Sequence, residues 1–306
     1  MTASLRGSRR RRPWVRVGLT GLALWVATVA VTVLTSNTNL IPTVVLLGSF
    51  LVPVTFVVWA WQHTDTGELT AGLLFSTFVV GGVIGILGAS VLESFLLRPS
   101  WWLFLGVGAI EEGVKLAALA FVTRHLAHKS VRDGMILGAS VGFGFAAFES
   151  AGYALTALFT TDGLSLAALV KTELLRGLLA PVGHGLWTAL VGGVLFRASS
   201  RHRFTLTGRL LAAFVGVALL HGLWDAMHSI AVRGTLILTR GEQYTPTNSG
   251  WLVQPSAAQA RLMPVLEWAG LGLIALIGVV WLIVEWRSAR RADPTVSPRL
   301  SWNIAV

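Results

Sequence analysis

Residues 101–122 read WWLFLGVGAIEEGVKLAALAFV, an apolar run of helical length with Glu111, Glu112 and Lys115 set into its middle. About 20 predominantly apolar residues cross a bilayer as a helix, so the stretch reads as a lipid-spanning segment that carries charge at depth. A charged side chain at the bilayer centre costs roughly 2.5 to 3.5 kcal/mol on the insertion scale. Groups held there normally face a bundle interior or a water-filled cavity, where they move ions or protons or perform chemistry. Three further ionisable residues, Glu149, His221 and Asp225, lie in other apolar segments of the same chain.

The rest of the sequence fits that reading. The chain is 54% hydrophobic and 12% charged, with mean hydropathy +0.70, against about 25% charged for a soluble domain. It has no cysteine, which excludes disulfides, thiolate metal sites and a cysteine nucleophile. Apolar stretches divide it into eight candidate spans near 17–35, 40–61, 71–92, 101–122, 134–156, 179–196, 209–232 and 263–285. The expected fold is all-α, a polytopic helical membrane protein at the cell membrane. It comprises a basic tail (1–16), helices 1–3 (17–100), a motif-bearing core of helices 4–7 (101–232), an extracytoplasmic loop (233–262), a last helix (263–285) and a C-terminal tail (286–306).

With both termini in the cytoplasm, seventeen Lys and Arg residues fall inside and six outside, the positive-inside pattern. The formal charge of +10 therefore describes topology and anionic headgroups, and no nucleic-acid partner is expected. The Arg-rich start could head a signal peptide, but its apolar run exceeds a usual signal core and no small-residue cleavage site follows. It reads as a retained helix. Residues 157–178 fit an interfacial helix or an extension of span six. Thr245–Gly250 marks a turn-rich external loop.

Spacing assigns neighbours. Lys115 lies four residues from Glu111 and three from Glu112, so it can reach either carboxylate. The two glutamates diverge by about 100° around the helix and have different jobs. Phe145 sits one turn from Glu149, and an aromatic ring beside a carboxyl penalises its charged form, which favours proton transfer. His221 and Asp225 share a helix face at the spacing by which one helix offers two metal ligands, or an acid orients an imidazole. The bland reading of each pair is a satisfied buried contact pinning two helices. The hexapeptide from His184 to Ala189, HGLWTA, recurs as HGLWDA from His221 to Ala226. That makes His184 an auxiliary candidate.

Three motifs in order on successive helices, Glu111-Glu112-Gly113-Val114-Lys115, Phe145 to Glu149 and His221 to Asp225, resemble the PrsW family of intramembrane proteases. That family is similar to the CAAX-processing endopeptidases, which carry a Glu-Glu pair ending in Arg, a Phe followed by a His, and a His followed by an Asn. The resemblance covers residues 101–232. It implies that Glu111 activates a water while Glu112 and Lys115 set its charge state. It further implies that Glu149 and His221 complete the water site or hold a metal, and that Asp225 orients His221. Glu149 and Asp225 stand where the CAAX enzymes have His and Asn, so the ligand set differs. The implied substrates are membrane-anchored proteins, such as an anti-sigma-factor-like regulator.

The residues themselves agree with hydrolysis: no Ser or Thr stands out beside a base, Ser150 following Glu149 but pointing to another face, and a carboxylate-activated water is the simplest alternative. Glu149, His221 and Asp225, with Glu111 as a further candidate, form a nitrogen and oxygen set that suits Zn²⁺. A metal-free mechanism, with Glu111 as base and His221 as electrostatic stabiliser, is the other reading. The depths of these residues place a cavity that opens away from the cytoplasm. Two competing functions use the same residues: a proton-coupled transporter and a noncatalytic scaffold.

Overall fold

The computed structural model describes residues 12–63, 69–100, 102–200, 203–239 and 255–292. Ten α-helices account for nearly all of the described chain: α1 (Pro13–Thr35), α2 (Ile41–His63), α3 (Ala71–Val79), α4 (Gly85–Leu96), α5 (Leu103–Thr123), α6 (Val131–Leu158), α7 (Leu166–Leu179), α8 (His184–Ala198), α9 (Gly208–Leu238) and α10 (Ala257–Ala292). The protein is an all-α polytopic membrane protein. Two short strands form a hairpin, β1 (Phe159–Thr160) against β2 (Gly163–Leu164), antiparallel with Phe159 opposite Leu164. In lipid every backbone polar group must be satisfied within the chain, and long helices do this internally.

Seven segments are long and apolar enough to cross a membrane: Pro13–Thr35, Thr38–His63, Ala71–Leu96, Val131–Leu158, Leu166–Ala198, Gly208–Leu238 and Ala257–Arg291. The remaining expected span is α5, whose 21 residues reach about 31 Å at 1.5 Å each. Its length suffices, and only the load of Glu111, Glu112 and Lys115 sets it apart. Helices α9 and α10 extend beyond the apolar limits 209–232 and 263–285, because backbone hydrogen bonding does not stop where hydropathy falls. The Thr245–Gly250 turn lies outside the described residues.

The chain forms two compact units, Met1–Leu87 with Ser140–Gly185, and Gly88–Ala139 with Leu186–Val306. In the first, α2 packs against α1, α3 and α7. Trp25, Val44, Val45, Ala154, Leu158 and Leu169 make its apolar cluster. Beside it the Trp25 indole donates to the buried Glu173 carboxylate at 2.8 Å, tying α1 to α7. A π-helical turn, Val80–Ile84, joins α3 to α4. The 157–178 stretch proves to be the hairpin followed by α7, and α7 runs into α8 as one apolar span. Pro181, in the 3-10 turn Ala180–Val182, separates the two helices, since proline removes a ladder donor and crowds the preceding turn. His184 thereby becomes the first residue of α8.

In the second unit α9 is central, with α5 and α10 packed on it. The α5–α9 contact is close enough to need glycine on both helices. A Cβ at Gly108 would lie 2.5 Å from the Ala218 carbonyl oxygen, and one at Gly222 would lie 2.8 Å from the Phe104 oxygen. At the far end of α10, Arg197 of α8 and Arg209 of α9 both pair with the buried Glu285, at 3.7 and 2.6 Å. That clasp compensates an otherwise prohibitive buried carboxylate.

Candidate active site

The second unit carries the densest polar centre. Gly108 lets α5 approach α9 closely, and Glu111 and Glu112, one turn further along α5, meet His221 of α9. Lys115 is wholly buried, with its ammonium 3.2 Å from Glu111 and 2.7 Å from Glu112. The turn spacing thus delivers one cation to both carboxylates. Glu112 Oε1 also accepts from His221 Nδ1 at 3.0 Å, and Thr188 of α8 donates to its other oxygen at 3.4 Å. The Trp187 indole lies against the imidazole, with ring centres 4.6 Å apart.

The Glu112 contact decides the imidazole's tautomer. With its Nδ1–H given to Glu112, a neutral His221 presents the Nε2 lone pair on the opposite edge. That atom lies 3.6 Å from Glu111 Oε2 and 3.4 Å from Asp225 Oδ2. Glu112 orients the imidazole, and Asp225 stands on its Nε2 side. The i,i+4 spacing of His221 and Asp225 could not reveal this, because Glu112 is 109 residues away in sequence.

Two ligands about 2.0 to 2.1 Å from one tetrahedral zinc lie about 3.3 to 3.4 Å apart, close to the His221–Asp225 separation. Three carboxylates and one ammonium leave a formal charge of minus two with His221 neutral, which a divalent cation balances. The Glu112–His221 hydrogen bond is the carboxylate support that metal-binding histidines ordinarily receive. His221 and Asp225 of this unit thus stand at the separation of two ligands of one divalent ion.

In the first unit, Glu149 of α6 faces His184 Nε2 at 2.9 Å and also accepts from the Arg176 guanidinium of α7. Arg176 donates through Nε to Ser150 at 2.8 Å and lies 4.3 Å over the Tyr153 ring. The Phe145 ring centre is 5.4 Å from that of His184. Nothing in the sequence motifs points to Arg176, whose partner Glu149 lies on another helix. Arg176 gives Glu149 the counter-charge that its aromatic neighbours lack. The repeated hexapeptides diverge in use: Trp187 and Thr188 serve His221 and Glu112, whereas His184 serves Glu149.

A helical membrane protein with paired glutamates, a buried lysine and an oriented histidine at spanning depth has the makings of a membrane-embedded hydrolase. The comparisons identify which kind. The family described as PrsW family intramembrane metalloprotease matches residues 69–247. The Protease PrsW of Halalkalibacterium halodurans is 30% identical over 174 residues, covering 55% of this chain and 75% of that protein. The Protease PrsW of Geobacillus kaustophilus is 28% identical over 156 residues, covering 50% and 63%. No solved structure matches significantly. The chain belongs to the PrsW family of intramembrane metalloproteases.

Proposed function

We propose that this multi-pass peptidase hydrolyses membrane-anchored, single-span protein substrates at a centre built on Glu111, Glu112, Lys115, His221 and Asp225. The observation that carries the reading is the Glu112–His221 hydrogen bond, which turns Nε2 toward Glu111 and Asp225. Glu111 takes a proton from the attacking water as the new C–O bond forms. It returns that proton to the amine nitrogen as the C–N bond breaks. Lys115 holds the charge of both glutamates inside a low-dielectric setting, where an uncompensated carboxylate would be costly. Glu112 keeps His221 in one tautomer. His221 and Asp225 would hold the divalent ion, for which the nitrogen and oxygen donors favour Zn²⁺. A bound ion would supply Lewis-acid polarisation of the water and of the scissile carbonyl.

Glu149, to which the family resemblance gives a part in the site, is proposed as a proton-transfer group, with Phe145 and His184 in support and Arg176 as its positioning partner. Both termini are placed in the cytoplasm on the basic-residue pattern, with the catalytic cavity opening to the other side. An anti-sigma-factor-like regulator, a single-span protein with a domain on that side, is the kind of substrate this topology admits. The test is cleavage of single-span substrates by purified protein in lipid, wild type against Glu111→Gln. Loss of cleavage in a folded variant is expected. Equal cleavage by both proteins would remove Glu111 from the mechanism.

A further inference from the structure

A second feature lies in the first unit, among residues the peptidase reading does not use. An apolar groove of about 590 Å³ runs between α1 and α2, lined by Trp14, Leu19, Leu22, Phe56, Trp59 and Phe143. Helix α1 buries only Trp25 and Thr32, so most of its surface is left to the bilayer. The start of α1 is tied to the end of α2 by the Trp14 amide, which donates to Gln62 Oε1 at 3.2 Å. That end of the groove carries two tryptophans, the side chain favoured at headgroup level. Exposed Arg12 and Arg16 stand beside it.

Size and charge together select the occupant. A spanning helix is about 10 Å wide. One extended acyl chain is narrower and follows an apolar slot. The tail alone cannot confer selectivity, because lipid tails are as apolar as the leucines they would touch. The headgroup must decide, and the sequence around that end is strongly basic: Arg6, Arg9 to Arg12 and Arg16 precede or open α1, against Asp65 and Glu68 just past α2. Neither α1 nor α2 itself carries an Asp or Glu.

We infer that this groove is a binding site for an anionic phospholipid, its acyl chain between α1 and α2 and its phosphate against Arg12 and Arg16. Two arginines near the headgroup plane, each worth about five-fold, set an expected preference of about thirty-fold for phosphatidylglycerol over phosphatidylcholine with the same chains. Native mass spectrometry of the full chain, titrated with each lipid in detergent, reads this directly. The Arg12→Gln/Arg16→Gln variant should lose the preference. Leu22→Trp, which fills the slot without altering charge, should lower retention of phosphatidylglycerol. Equal retention of the two lipids by wild type, or a preference unchanged in both variants, would overturn the assignment. So would a photocrosslinker at Phe56 that captures a substrate peptide instead of lipid in a membrane containing both.

Discussion

Substituting Gly108 by alanine should disable the active centre without replacing any ionisable residue. The added Cβ would lie 2.5 Å from the Ala218 carbonyl oxygen, 2.9 Å from the Gly222 nitrogen and 3.3 Å from His221 Cβ. Carbon and carbonyl oxygen tolerate approaches of about 3.3 Å and no closer, so α5 and α9 must separate locally by about 0.8 Å. The obstacle is helix backbone, which cannot swing aside as a side chain would. Glu112 sits one turn beyond Gly108 and would be carried with α5. Its 3.0 Å contact with His221 then opens to about 3.8 Å, past the range of a hydrogen bond. The imidazole loses its orienting partner, and a displacement of this size near the reacting groups costs about 10²-fold in rate. The overpacking itself costs about 1 to 3 kcal/mol. The assay is kcat/KM for a single-span substrate, with thermal unfolding followed in the same lipid. Gly272→Ala on α10, where a new Cβ meets nothing within 4 Å, is the control and should behave as wild type. Full activity and unchanged stability in Gly108→Ala would refute the claim that α5–α9 contact sets the site.

Purified protein should carry near-stoichiometric divalent metal that falls in His221→Ala, and strong chelators should abolish cleavage; full activity after exhaustive chelation, with no bound metal, would support the carboxylate-only mechanism. Arg176→Lys keeps the charge but cannot serve Glu149 and Ser150 together through a planar fork, so it should retain stability while losing about ten-fold or more in kcat; an unchanged kcat would relegate Arg176 to packing. A reporter active only outside the cytoplasm, fused after Ser200, should stay silent, and a strong signal would reverse the proposed orientation.

The contacts that were legible beforehand are those made within one helix. Lys115 reaches Glu111 and Glu112 because three- and four-residue spacings stack side chains on one face, whatever the helix packs against. His221 and Asp225 share a face for the same reason. The contacts that were not legible cross between helices. Glu112 rather than Asp225 takes His221 Nδ1, Trp187 covers the imidazole, and Arg176 meets Glu149 from 27 residues away. Each depends on helix rotation and crossing distance, which local spacing does not encode.

By itself, then, the sequence determined that this is a helical membrane protein, since apolar runs of bilayer length have no other way to satisfy their backbone in lipid. It also picked out Glu111, Glu112 and Lys115 in the middle of α5, but not Glu173 and Glu285, which are equally buried. Tertiary structure alone decided what those residues do to one another. The close α5–α9 approach through Gly108 and Gly222 selects the carboxylate that orients His221 and the carboxylates left on its Nε2 side. A hydrogen bond is made or lost within half an ångström, and only the packed backbone specifies positions that finely.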